Sequence, residues 1–84
     1  MRQWAAGDFV WRQLANDLAA RIADGTYPLG TPLPTEHELA SEYAVARTTA
    51  RRALAELRKR KLIKNLHGQR NAVVAMPMPG DLPG

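Results

Sequence analysis

Cysteine is absent from these 84 residues, and with it go a disulfide framework, a thiolate nucleophile and any cysteine-based zinc site. Histidine is scarce. His37 and His67 would have to hold a metal alone, and they stand too far apart in sequence to form a recognisable ligand pair. Long apolar runs are missing too: nothing approaches the ~20 consecutive apolar residues that span a bilayer, and the opening MRQWAAGDFVWRQ lacks the apolar core of a signal peptide. The chain is expected to be soluble and cytoplasmic, with no membrane partner. A chain this short buries only about 60% of the surface its unfolded form exposes, which leaves little room for a deep catalytic cleft. It also lacks a phosphate-cradling glycine loop, a nucleophile in plausible relation to a base, and a carboxylate pair outside its amphipathic stretches. No enzymatic activity and no cofactor is expected.

Acidic residues are nearly missing from the second half. From Met1 to Tyr43, Arg2, Arg12 and Arg21 face six acids, whereas from Ala44 to Met76 nine basic residues face Glu56 alone; the whole chain carries +4. A cationic surface on a mildly acidic support points to a polyanionic partner, nucleic acid or an anionic membrane, against the plainer reading of a solvated charged face.

Trp11, Leu14, Leu18 and Ile22 recur at three- and four-residue steps, which predicts a helix from Phe9 to Asp24, with Asp8 placed to cap it and Gly25 to end it. Trp4, Trp11, Leu14 and Leu18 read as core, with a dimer face as the alternative. Residues 1–8 form an N-terminal arm in this reading. TYPLGTPLP, from Thr26 to Pro34, is too rich in proline for regular helix and predicts an extended, turning connection. In TEHELASEYA, Thr35 and Glu38 stand at capping-box spacing, so a second helix is expected from Glu36 to Glu42 or Tyr43, with Leu39, Ala40 and Tyr43 inward. After a break at Tyr43–Ala46, RTTARRALAELRKRK places Ala50, Ala53, Leu54 and Leu57 on one helix face and Arg47, Arg51 and Arg58 on a neighbouring one. Leu62-Ile63 and Val73-Val74 anchor two expected strands, with His67 to Asn71 as the hairpin tip. Residues 76–84, MPMPGDLPG, read as a disordered tail or linker. Helix, short helix, helix and hairpin, within residues 9–75, is the order of a winged helix-turn-helix: mainly α, with a two-stranded wing.

The run ADGTYPLGTPLPTEHELASEYAVARTTARRALAELRKRKLI, from Ala23 to Ile63, resembles the N-terminal DNA-binding domain of the GntR family of bacterial transcription regulators. That family shows an amphipathic helix, a Gly, Pro-Gly and Leu-Pro-Ser-Glu run, a Glu-Leu-Ala segment, Val-Ser-Arg-Thr-Thr-Val-Arg, an Ala-Leu pair and a glycine-rich wing. The resemblance covers about Val10 to Val74. It implies double-stranded DNA as partner, read as a palindromic operator in the bacterial nucleoid, and a repressor. Members carry a larger C-terminal domain that binds a small effector and makes the dimer, so an effector is expected only with that further domain, and a homodimer through it or through another surface.

By the same resemblance Arg47, Thr48, Thr49 and Arg51 fall at recognition-helix positions, His37 at a backbone-contacting position of the second helix, and His67-Gly68 at a wing tip that meets the minor groove. Arginines in the first turns of such a helix suit guanine O6 and N7. Glu56 is the one acid in this half, so the charges of Arg47 and Arg51 are expected to await a polyanion. Thr48 and Thr49 suit phosphate oxygens or a thymine methyl, or simply a helix start. Arg52 is open between a phosphate and solvent, Arg70 suits a narrow minor groove, and Arg58-Lys59-Arg60-Lys61 reads as a solvated helix end. Three departures from the family stand out: Ala46 replaces the capping Ser or Thr, His37 replaces an arginine, and Arg70-Asn71-Ala72 replaces a Gly-Thr-aromatic end to the wing. A winged helix that binds RNA or another protein with the same basic face remains the alternative function.

Overall fold

The computed structural model describes residues 10–66 and 70–77, and contains three helices and a two-stranded antiparallel sheet: α1 (Val10–Ala23), α2 (Glu36–Tyr43), α3 (Arg47–Lys59), β1 (Ile63–Leu66) and β2 (Arg70–Val73). The expected winged helix-turn-helix is the observed fold. Trp4, the arm 1–8, Asp8, Phe9 and residues 78–84 lie outside the described residues. Among those described, no helix is long and apolar enough to cross a membrane.

Each helix turns its small or apolar stripe inward. Leu14, Leu18 and Ile22 of α1, Leu39 and Tyr43 of α2, and Ala50, Ala53, Leu54 and Leu57 of α3 are buried together with Leu33, Leu62, Ile63 and Val73. Ala50 and Ala53 let α3 approach α1 closely because they add no bulk beyond a methyl. Trp11, expected in the core, is only half-buried.

The helix ends follow from local chemistry. α1 stops at Ala23, one residue before the expected end, because the Asp24 carboxylate accepts from the Thr26 backbone N–H (2.9 Å) and hydroxyl (2.6 Å), an Asx-turn that competes with another helical turn. Gly25 then takes φ +89°, the left-handed conformation for which glycine is suited. α2 opens on the expected capping box: the Glu38 N–H donates to Thr35 Oγ1 (3.2 Å) and the Thr35 N–H to Glu38 Oε1 (2.8 Å). It closes with Ala44 at φ 54°, the Val45 N–H donating to Ala40 O (3.0 Å) and the Ala44 N–H to Ser41 O (3.4 Å), a Schellman arrangement on a residue other than glycine. α3 begins on Ala46, whose extended backbone carries no side-chain cap, as its sequence predicts.

Two corrections concern the wing. The second strand begins at Arg70, so Arg70 and Asn71 belong to β2 and not to the tip, and Val74 lies beyond the strand, exposed. The register pairs Ile63 with Val73 and Asn65 with Asn71. The proline-rich connection is also more than a link. Gly30 N–H donates to Val73 O (2.9 Å), Val73 N–H to Thr31 O (3.0 Å) and Leu33 N–H to Asn71 O (2.8 Å), with Pro32 bridged to Ala72. Strand β2 is therefore bonded on both edges, and the wing is tied directly to the segment that leads into α2.

Candidate nucleic-acid interface

The helix-turn-helix brings the first turn of α2 beside the first turns of α3. Its consequence is a compact charge cluster. Arg51 donates from Nε to Glu36 Oε2 (2.9 Å) and from Nη2 to Glu36 Oε1 (3.1 Å), and Arg47 Nη2 lies 3.3 Å from the same Oε1. Both arginine side chains are 63% exposed and the carboxylate between them 23%. The Arg51 hydrogen bond, reinforced by the charges of both arginines, holds the Glu36 carboxyl below its ordinary range and raises Arg51 in turn. This corrects the expectation that these two arginines stand without an acidic partner. The acid lies on another helix, out of reach of any same-helix spacing rule.

Arg70, expected at the minor groove, donates from Nη2 to Glu38 Oε1 (3.2 Å) and so ties β2 to the capping box of α2. The Thr35 backbone N–H, with Arg70 adding to it, keeps the Glu38 carboxyl below its ordinary range. Arg58, expected as part of a solvated helix end, donates from Nη1 to Asn71 Oδ1 (3.2 Å). Arg60 donates to Glu56 Oε2 (2.8 Å), one turn back on the helix. Arg52, expected at a phosphate or in solvent, is exposed, and its guanidinium sits over the Trp11 ring, 4.6 Å from the centroid, a cation–π contact between α3 and α1.

Thr48 is exposed, Thr49 half-buried, and His37 exposed on α2 between Glu36 and Glu38. His67 and Gly68 lie outside the described residues. Arg47, Thr48 and Arg51 thus share one exposed helix start with His37 nearby on the neighbouring helix, while Arg52 and Arg70, also exposed, lie against Trp11 and Glu38. Among the described residues no group of three or more His, Cys, Asp or Glu could hold a metal ion.

Residues 11–73 match the model of the family described as bacterial regulatory proteins, gntR family. The chain belongs to the GntR family. A GntR family transcriptional regulator from Listeria monocytogenes superposes with a TM-score of 0.79 at 28% identity, over 84% of this chain and 62% of that one. BusR of S. agalactiae, in complex with its busAB-promotor DNA, superposes with a TM-score of 0.73 at 29% identity, over 79% of this chain and 32% of that one. The mannosyl-D-glycerate transport/metabolism system repressor of Escherichia coli is 36% identical over 59 residues, 70% of this chain and 25% of its own length. This GntR chain spans about a quarter of the length of such curated relatives.

Glu36 is the site residue that sequence reasoning missed. The signal was present in TEHE: a capping box fixes Glu36 as the first residue of α2, and a helix-turn-helix sets that residue against the start of α3.

Proposed function

We propose that this GntR-family domain binds double-stranded DNA in a sequence-specific manner as part of a transcription repressor, with the start of α3 in the major groove. One observation carries the reading: Arg47 and Arg51 stand side by side and exposed at the start of a helix whose other face is core. Guanidinium forks in that position match guanine O6 and N7, whereas Thr48, Thr49 and His37 suit phosphates on either side. The wing, with His67, Gly68 and Arg70, reaches the minor groove beside it. A relative named as a repressor and a neighbour bound to promoter DNA support the same reading. In the whole protein we assign a palindromic operator, a homodimer and an effector-binding domain outside these residues, acting in the bacterial cytoplasm on the nucleoid.

Binding is tested by enriching duplexes from a randomised library and comparing an enriched duplex with its scrambled counterpart at two salt concentrations. The enriched duplex should bind more tightly at both, with affinity falling as salt rises. Arg47→Ala should relax preference at one base pair by about tenfold. A steep salt dependence without any sequence preference would overturn specific readout and leave an RNA or acidic-protein partner for the basic face.

A further inference from the structure

The Glu36 carboxylate lies in the middle of the surface assigned to DNA, where a negative charge would ordinarily be repelled by phosphates. Its geometry explains its presence. A guanidinium has two usable forks: a side-on pair, Nε–H with the neighbouring Nη2–H, and an end-on pair, one hydrogen each from Nη1 and Nη2. Glu36 occupies the side-on fork of Arg51, through Nε at 2.9 Å and Nη2 at 3.1 Å. The end-on fork is left over, at the tip of an exposed side chain. The same carboxylate oxygen that takes Arg51 Nη2 also lies 3.3 Å from Arg47 Nη2, so one acid restrains both arginines.

Two consequences follow from chemistry. A long side chain whose guanidinium plane is fixed before contact loses less rotamer freedom when it meets a base edge, so guanine recognition through the end-on fork is favoured. A phosphate, by contrast, must approach an arginine whose charge is already compensated, and must come close to a carboxylate as well. Non-specific backbone contact is thereby penalised. Discrimination increases at the expense of overall attraction, the usual outcome of building a repulsive element against the wrong partner.

We propose that Glu36 is a positioning and specificity-determining residue: it orients Arg51, and with it Arg47, for base edges and suppresses their use as phosphate clamps. The inference rests on the DNA-binding reading above.

The test compares wild type, Glu36→Gln and Glu36→Asp on a library-enriched duplex and its scrambled counterpart. Gln removes the charge; Asp keeps an acid at the start of α2 but is too short to hold the fork, which separates helix stability from side-chain positioning. Both variants should lose about tenfold or more in the ratio of specific to non-specific affinity. Glu36→Gln should also bind the scrambled duplex more tightly than wild type does, with a salt slope steeper by roughly 0.9 for each phosphate newly engaged. In an Arg51→Ala background, Glu36→Gln should change the ratio by a smaller factor, because the arginine that Glu36 holds through both oxygens is gone and only its contact with Arg47 remains. A ratio unchanged in both single variants, or an equal loss with and without Arg51, overturns the role of Glu36 while leaving DNA recognition intact. A wild-type chain that enriches no sequence overturns both.

Discussion

At the residue scale, Ala46 is the position where this chain gives up an interaction that its fold makes available. Its backbone is extended, with φ −66° and ψ 150°, the geometry of a helix N-cap, yet a methyl group cannot accept from the exposed N–H groups of the first turn of α3. Ala46→Ser supplies that acceptor without altering the core, since Ala46 is exposed. Stability should rise by about 1 kcal/mol, and for a domain of this size the thermal midpoint by ~4–8 °C. A melting curve unchanged or shifted downward would show that the helix start is satisfied in another way. The missing cap was legible because capping depends on one residue type at one offset. The same holds for the Thr35–Glu38 box and for Gly25. The left-handed conformations of Ala44 and Lys61 were not legible, because neither residue favours them and only the packing of Val45 and Leu62 against the core imposes them.

At the scale of elements, periodicity made the helices readable almost to their ends, since each buries a stripe of its own sequence. Contacts between elements were hidden. Arg51 and Glu36 are 15 residues apart, and Arg70 and Glu38 are 32 apart, distances at which no local spacing rule applies. The wing illustrates the cost of that blindness: Asn71, expected at the tip, is 6% exposed and accepts from Arg58 of α3. Asn71→Ala removes a hydrogen bond to an exposed donor that water can satisfy and should cost about 1 kcal/mol. Arg58→Ala made in the same chain should add less than its separate effect, and strict additivity in denaturant titrations would refute the link between α3 and the wing. The start of α2 gives a pH prediction. The carboxyls of Glu36 and Glu38, like that of Asp24, titrate below their ordinary range when folded. Their contribution to stability is therefore fully present above the unfolded carboxylate value, near 4.3 for glutamate, and disappears as pH falls through the lower folded values. The thermal midpoint should drop on acidification from pH 5 toward pH 3, and Glu38→Gln should flatten that drop. A midpoint independent of pH in this window would contradict the shifts.

For the molecule as a whole, the unequal distribution of charge was the broadest signal in the sequence, and it separates two roles that substitution can distinguish. In the function proposed above, the arginines at the start of α3 read base edges, whereas the basic residues at its end add attraction to any polyanion. Lys61 is the sharpest probe of the second role because it carries two independent features: an exposed positive charge and a backbone at φ 63°, held by the Leu62 N–H donating to Leu57 O at 3.1 Å and its own N–H to Arg58 O at 2.9 Å. An L-residue in that conformation is strained by roughly 1–2 kcal/mol, and glycine is not. Lys61→Gly should therefore raise the thermal midpoint, by less than the full relief because glycine loses more entropy on folding. The same change should weaken enriched and scrambled duplexes by one common factor and make the salt slope shallower by up to about 0.9. Stability and affinity are expected to move in opposite directions, so a loss of binding could not be attributed to a loss of fold. A loss confined to the enriched duplex would instead place Lys61 among the residues that read sequence, and would move the recognition surface from the start of α3 toward its end.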